Sequence, residues 1–177
     1  VEFYPEEGKY HLDGHRDCQV RQTPEERAAA GGLCPRCGKP VTVGVLSRVD
    51  ALADRPEGQG YRPPRARPYF SLVPLPEIIG ECLEVGPASE AVRKVFHKLL
   101  ANLGNEMYIL QEAPLGDIAA QSSSLVAEAV RRVRSGELDI HGGFDGEYGT
   151  VRLFHEGEQK KLATPPGAAR QMSLFGA

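Results

Sequence analysis

An α+β fold is predicted for these 177 residues from three patterns. Two short Cys/His pairs stand near the start, His15-Arg-Asp-Cys18 and, fifteen residues on, Cys34-Pro-Arg-Cys37-Gly38. Apolar residues then recur at helical spacing between Leu75 and Val133. Two alternating segments, 137–141 and 150–154, flank a glycine-rich loop. The expected architecture is a small metal-braced ribbon followed by a mainly helical domain with a C-terminal β-hairpin.

The ribbon rests on ligand spacing. Two residues between ligands let both side chains of a tight turn address one ion, and Gly38 permits the left-handed backbone such a turn uses. Two such knuckles supply His15, Cys18, Cys34 and Cys37, the Cys3His set of a closed tetrahedral zinc (Zn2+) site. The alternatives are a disulfide or reduced core thiols. His11 competes with His15 for the fourth position, but only His15 keeps the short spacing to Cys18.

Residues 1–9 read as an extended lead-in and 10–46 as the ribbon. Within it, Thr23-Pro24-Glu25-Glu26 is a helix start, with Thr as N-cap, Pro at the first turn and acids on the positive dipole end. The helix should end near Gly31-Gly32 and deliver the second knuckle. Lys39 to Val45 reads as a strand leaving it. Ser47 is placed to cap a helix to about Ala53, with Leu46, Val49 and Leu52 on one face.

Residues 47–70 close with an Arg/Pro-rich loop whose prolines and glycines exclude a regular element. It carries Arg55, Arg62, Arg65 and Arg67, interleaved with Tyr61 and Tyr69, a composition suited to phosphates and exposed bases. A plain solvated linker is the competing reading. Residues 71–155 form the helical domain. Helices are expected over Leu75–Leu83, Ser89–Leu103 and Ser122–Val133, with Met107–Leu110 a short apolar run and Pro114 a turn. Arg131, Arg132 and Arg134 sit where they either complement a helix dipole or meet phosphates. In the hairpin loop, Phe144 and Tyr148 stand among four glycines and either stack on a ligand or merely shape the turn. Residues 156–177 turn to Gly, Lys, Pro and Ala, a flexible tail.

Hydrophobic content of 41% and charged content of 25% are globular values, and the net charge of -3 argues against a generally basic coat while permitting local patches. No apolar run approaches the roughly 18 residues of a membrane span. Reduced, closely spaced thiols fit a cytoplasmic setting. The chain starts at Val1 without a methionine, which reads as a piece of a longer polypeptide, with a processed product as the alternative.

Catalytic patterns are missing from the sequence. Cys82 lies on an apolar helix face and reads as an inert thiol. The histidines make no His-x-His or His-x-x-x-His pattern for an open metal site. Gly32 to Pro40 has the wrong glycine spacing for a phosphate loop and Pro40 where a magnesium-binding hydroxyl belongs. At the far C-terminus, Gln171-Met172-Ser173-Leu174-Phe175 follows the Pro/Gly-rich tail. It resembles the bacterial sliding-clamp-binding motif, in which Gln171 would enter one pocket and Leu174-Phe175 a hydrophobic one. The alternative is an apolar end that packs on its own domain.

With these parts placed, the chain resembles the post-nuclease part of the endonuclease Q family. The match runs from Phe3-Tyr4-Pro5-Glu6-Glu7-Gly8-Lys9-Tyr10-His11 through both knuckles, Val43-Gly44-Val45-Leu46 and Ala51-Leu52-Ala53-Asp54-Arg55. It continues through Ser71-Leu72-Val73-Pro74-Leu75, Glu77-Ile78-Ile79 and Gly143-Phe144-Asp145-Gly146-Glu147-Tyr148-Gly149. The resemblance implies a parent with an N-terminal polymerase-and-histidinol-phosphatase (PHP) nuclease domain, which nicks DNA beside deaminated bases and associates with the replication clamp. It also implies that His15 occupies a ligand position that varies between Cys and His. No residue here matches the nuclease metal cluster, so what carries over is DNA engagement and base recognition. DNA contacts are expected from Arg55, Arg62, Arg65, Arg67, Arg131, Arg132, Phe144 and Tyr148. The alternative is a zinc-ribbon scaffold, helicase-like or replication-associated, that binds proteins rather than DNA.

Overall fold

The computed structural model describes residues 1–55 and 63–163. The fold is α+β, with short helices and two two-stranded sheets among the described residues. It divides into two compact units: Val1–Ser71 with Ile140–Val151, and Leu72–Asp139 with Arg152–Ala177. The hairpin loop thus belongs with the metal-ligand region, whereas sequence patterning had grouped it with the helical domain. Backbone pairing explains the difference, because a glycine-rich strip with free N–H groups can be stitched to a distant segment.

In the first unit a 3₁₀ turn, Pro5–Glu7, precedes strand β1 (Asp13–His15). β1 pairs antiparallel with β2 (Val20–Gln22) in the register Asp13 to Gln22, Gly14 to Arg21 and His15 to Val20. The intervening turn, Arg16–Cys18, closes on Gln19 in the left-handed region at φ 51°. Helix α1 (Pro24–Ala29) starts as expected: Thr23 and Glu26 form a reciprocal capping box.

The expected strand over 39–45 is absent. Pro40 and Thr42 instead make single bridges to Leu33 and Gly14. Helix α2 (Val45–Leu52) begins at Gly44, earlier than a Ser47 cap would place it. The carbonyls of Tyr10 and His11 accept the N–H groups of Val45 and Leu46 at 2.7 and 3.0 Å. Ser47 is then free to donate to buried Asp13, which also accepts from the Gly44 N–H. On α2, Val45, Val49 and Leu52 are exposed, so its apolar face is not an inward one within this unit.

The loop 140–151 is bound along the lead-in. N–H groups of Gly143, Gly146 and Gly149 donate to the carbonyls of Glu6, Lys9 and Glu7. A Cβ on Gly149 would stand 2.0 Å from the Glu6 oxygen, so only glycine lets the two backbones approach this closely.

The second unit is a helical cluster: α3 (Leu75–Cys82), α4 (Glu90–Leu103), α5 (Glu106–Gln111), α6 (Leu115–Gln121), α7 (Ser124–Ser135) and α8 (Glu158–Ala163). Helix α7 packs against α3, α5, α6 and α8. Its Val126, Ala129, Val130 and Val133 are buried with Ile78, Ile79, Leu99, Ile109 and Ile118. Ser89, Asn105 and Ser123 cap α4, α5 and α7. Sequence patterning missed α5 and α6. Each spans under two turns, too short for a helical period to declare itself. The cap of α7 is Ser123 rather than Ser122, whose hydroxyl turns back to the Ile118 carbonyl and ends α6. Strands β3 (Asp139–His141) and β4 (Thr150–Arg152) form the second sheet and carry the chain between the units. No helix among the described residues is long and apolar enough to cross a membrane.

Candidate metal centre and nucleic-acid interface

His15, Cys18, Cys34 and Cys37 converge. One ligand atom from each lies within 4.8 Å of all the others, the one such group among the described residues. His15 Nδ1 and Cys37 Sγ are 3.9 Å apart, a few tenths of an ångström longer than the edge of about 3.6 Å expected between a nitrogen at about 2.0 Å and a sulfur at about 2.3 Å from a tetrahedral ion. The first knuckle depends on the β1–β2 turn, the second on a tight turn in which the Gly38 N–H reaches the Cys34 carbonyl at 2.8 Å. Gly38 takes φ 71°, the left-handed geometry its position requires. His11 lies outside the group.

The electrostatics favour a cation. Burial, with the neighbouring Cys37 and Cys34 sulfurs, pushes the Cys18 thiol up to about 11. Burial also works to raise Cys34, but N–H groups of Arg36 and Cys37 aimed at its sulfur win and hold it below the usual thiol range. The crowded sulfurs therefore resist sharing negative charge with one another, and a bound cation removes that conflict. All four cysteines are free thiols. These four side chains could hold a metal ion.

The loop 140–151 is tied to the first knuckle. Asp145 accepts from the Arg16 N–H at 2.7 Å and from the Thr42 hydroxyl at 2.6 Å. Both bonds hold its carboxyl below the usual carboxylate range, the Arg16 bond foremost. Glu147 accepts from the Gln19 amide at 2.9 Å. Asp145 escaped the sequence reading because its partners are 129 and 103 residues away, and no local pattern reports them.

The residues expected to touch DNA separate into different environments. Phe144 is 1% exposed, packed on Gly14 and covered by the Arg21 guanidinium at 5.0 Å. It is a core residue, so of the two expectations for its ring, stacking on a ligand or shaping the turn, its burial accords with the second. Tyr148 is 73% exposed, with the Lys9 ammonium 4.5 Å from its ring centre.

Arg131 and Arg132, also expected to meet phosphates, are engaged in ion pairs. Arg131 pairs with Glu128 and Glu137. Arg132 pairs with Glu128 and Glu158, donates to the Leu153 carbonyl and covers the Phe154 ring. Arg132 is the more enclosed of the two, at 14% side-chain exposure against 36% for Arg131. Arg134 likewise donates to the carbonyls of Ile109, Leu110 and Ala113 and closes α5. The pocket of 360 Å³ beside Arg132, lined by Glu137, Asp139, His155 and Glu158, is governed by the same ion pairs.

Arg65 and Arg67 are exposed, as are Tyr69 and Phe70 after them. Arg55 is exposed with Asp54 at 3.1 Å. Arg62, Gln171, Leu174 and Phe175 lie outside the described residues. Cys82 is pushed up to about 12 by burial and then by Glu81, which leaves it protonated and unreactive.

Comparison with solved structures places this geometry. The chain superposes on PfuEndoQ, a lesion-specific endonuclease from Pyrococcus furiosus, with TM-score 0.72 and 33% identity over 85% of this chain and 36% of that one. It superposes equally on endonuclease Q in complex with a 27-mer duplex substrate bearing an abasic lesion at the active site. There the TM-score is 0.68 and the identity 33%, over 87% of this chain and 38% of that one.

The chain is related to endonuclease Q.

A family model described as the MJ0043 C-terminal domain matches residues 74–137, which contain all of α3 to α7. The Methanocaldococcus jannaschii protein MJ0043 is 34% identical over 148 residues, 83% of this chain and 18% of that protein. Bacillus subtilis YqxK is 33% identical over 146 residues, 82% of this chain and 33% of that protein. The chain therefore spans about a fifth to two fifths of the relatives it matches.

Proposed function

We propose that this chain is the DNA-binding and lesion-recognition part of a repair endonuclease that nicks beside deaminated bases. The observation that carries the reading is the superposition, over most of the chain, on an enzyme solved with its damaged duplex substrate. The described side chains support binding rather than catalysis. Exposed Arg55, Arg65 and Arg67 suit backbone phosphates, with Arg62 from the same segment, and exposed Tyr148 suits a base.

The ion is zinc in this reading. Three thiolates and one imidazole fill a tetrahedral shell, so the ion would be structural and would supply no open position for water or substrate. Its work is to hold the two knuckles, and through Asp145 the glycine-rich loop, in one arrangement. Cleavage would come from a PHP nuclease domain of the parent polypeptide. Gln171, Leu174 and Phe175 would recruit the whole to the sliding clamp in the cytoplasm.

Titration against duplexes carrying uracil, hypoxanthine or no lesion, at low and moderate salt, tests the reading. Salt-dependent binding with preference for damage is expected, and no binding at low salt would refute it. Replacing Leu174 and Phe175 with Ala should abolish capture by the purified clamp and leave DNA affinity unchanged.

A scaffold role without DNA has one observation in its favour, the exposed Val45, Val49 and Leu52 stripe on α2. Failure to bind DNA combined with capture of a replication protein through α2 would support it.

A further inference from the structure

We propose that Lys9, Arg16 and Tyr148 form a platform for one nucleic-acid strand, with phosphate held by the two cations and a base stacked on the tyrosine. The proposal deepens the DNA-binding reading above and rests on it. Tyr148 is 73% exposed, and Lys9 and Arg16 are exposed as well.

Arg16 reaches the bare backbone of the loop that carries Tyr148. Gly146 takes φ 89°, and where its missing side chain would begin, Arg16 Nη1 is 3.6 Å and the Tyr10 hydroxyl 3.7 Å away. The Lys9 ammonium covers the Tyr148 ring at 4.5 Å, and the ring's exposure leaves area for a flat partner. A cation, an aromatic plane and an approachable backbone within one loop match the chemistry of a nucleotide: anion, π-face and little else.

The platform is also held rigid, which separates it from an ordinary mobile surface. Gly146 donates to the Lys9 carbonyl at 3.0 Å, and Gly143 and Gly149 donate to Glu6 and Glu7. Asp145 fixes the loop to the Arg16 backbone and to Thr42, and Glu147 fixes it to Gln19. The loop's two carboxylates thereby accept internal hydrogen bonds. Preorganisation lowers the ordering cost a strand would otherwise meet on binding.

The experiment uses the 177-residue chain and a labelled single-stranded oligonucleotide, followed by anisotropy between about 50 and 200 mM salt. The Lys9→Ala/Arg16→Ala double variant should weaken binding and reduce the slope of log K against log salt by about 1.4. Tyr148→Ala should weaken binding about 5- to 150-fold with the slope unchanged, and Tyr148→Phe should restore it. Metal content of each variant must equal that of the parent, which shows the knuckles intact. If the parent binds and these variants bind equally well while Arg65→Ala/Arg67→Ala does not, the platform is overturned and the DNA-binding reading stands. If the parent binds no strand at low salt but binds an acidic peptide, both fail.

Discussion

With the proposed zinc bound at His15, Cys18, Cys34 and Cys37, its removal should unfold the region around the knuckles and leave the helical unit standing. Apart from Phe144 packed on Gly14, the ribbon has little else to hold it. Its buried apolar cluster is Val20, Cys34 and Val41, with Cys18 packed against it. Two buried valines contribute about 3–6 kcal/mol, whereas a structural zinc in so small a unit contributes about 10–16 kcal/mol. The metal is the larger throughout these ranges, so chelation takes away most of what opposes chain entropy there.

Hydrogen-exchange mass spectrometry with and without a strong chelator reads this directly. The amides of Cys34, Gly38 and Thr42, which bond the carbonyls of Lys39, Cys34 and Gly14 at 2.8 Å, should lose protection. Those of loop 140–151 should follow, because Asp145 and Glu147 tie it to the first knuckle. Amides of α4 and α7 should stay protected, since Val92, Leu99, Val126 and Val130 are buried in a core that holds no ligand. Knuckle amides equally protected after chelation would refute the reasoning. So would loss of α7 in parallel with them.

Gly14→Ala should destabilise the N-terminal unit by about 1–3 kcal/mol, read as a lower thermal midpoint of metal loss, because the new methyl would lie 2.5 Å from Phe144 Cδ2 and from the Val20 carbonyl. Phe144→Ala should cost about 3–5 kcal/mol in the same assay, where a surface stacking residue would cost almost nothing. The helical unit should lose stability in acid. Arg132, with help from the His155 N–H, holds Glu158 down to about 2 from an ordinary value of 4.5. Between those values the unfolded chain binds more protons than the folded one, so this contribution is full above about pH 4.5 and lost as pH falls towards 2. Denaturant midpoints measured at pH 5 and pH 3 should therefore separate, and Glu158→Gln should narrow the gap.

Much of the fold was legible because it is encoded locally. The Thr23 cap of α1 is a contact within three residues, and the sequence spells it out. Helices α3, α4 and α7 repeat their apolar positions often enough to show a period. The pairing of Arg131 and Arg132 with Glu128 was half legible too, since three- and four-residue spacing on a helix brings such charges together. Their second partners, Glu137 and Glu158, were not, because turns place them.

The metal site shows where the boundary falls. Each knuckle is a local turn, so spacing alone determined which four side chains could share an ion. That the two knuckles meet was an inference from chemistry, and the fold realises it. The glycine-rich loop was different. Its composition permits a ring that faces solvent or one that faces the core, and period-two alternation cannot decide between them without knowing what lies behind. Only the tertiary structure supplied Gly14 as a floor for Phe144, Lys9 as a cover for Tyr148, and a partner for Asp145 across 129 residues. Local spacing determined the ligands, the caps and the long helices. Long-range packing decided which aromatic and which cations remain available at the surface, because burial and pairing are properties of neighbours that the chain brings together only when it folds.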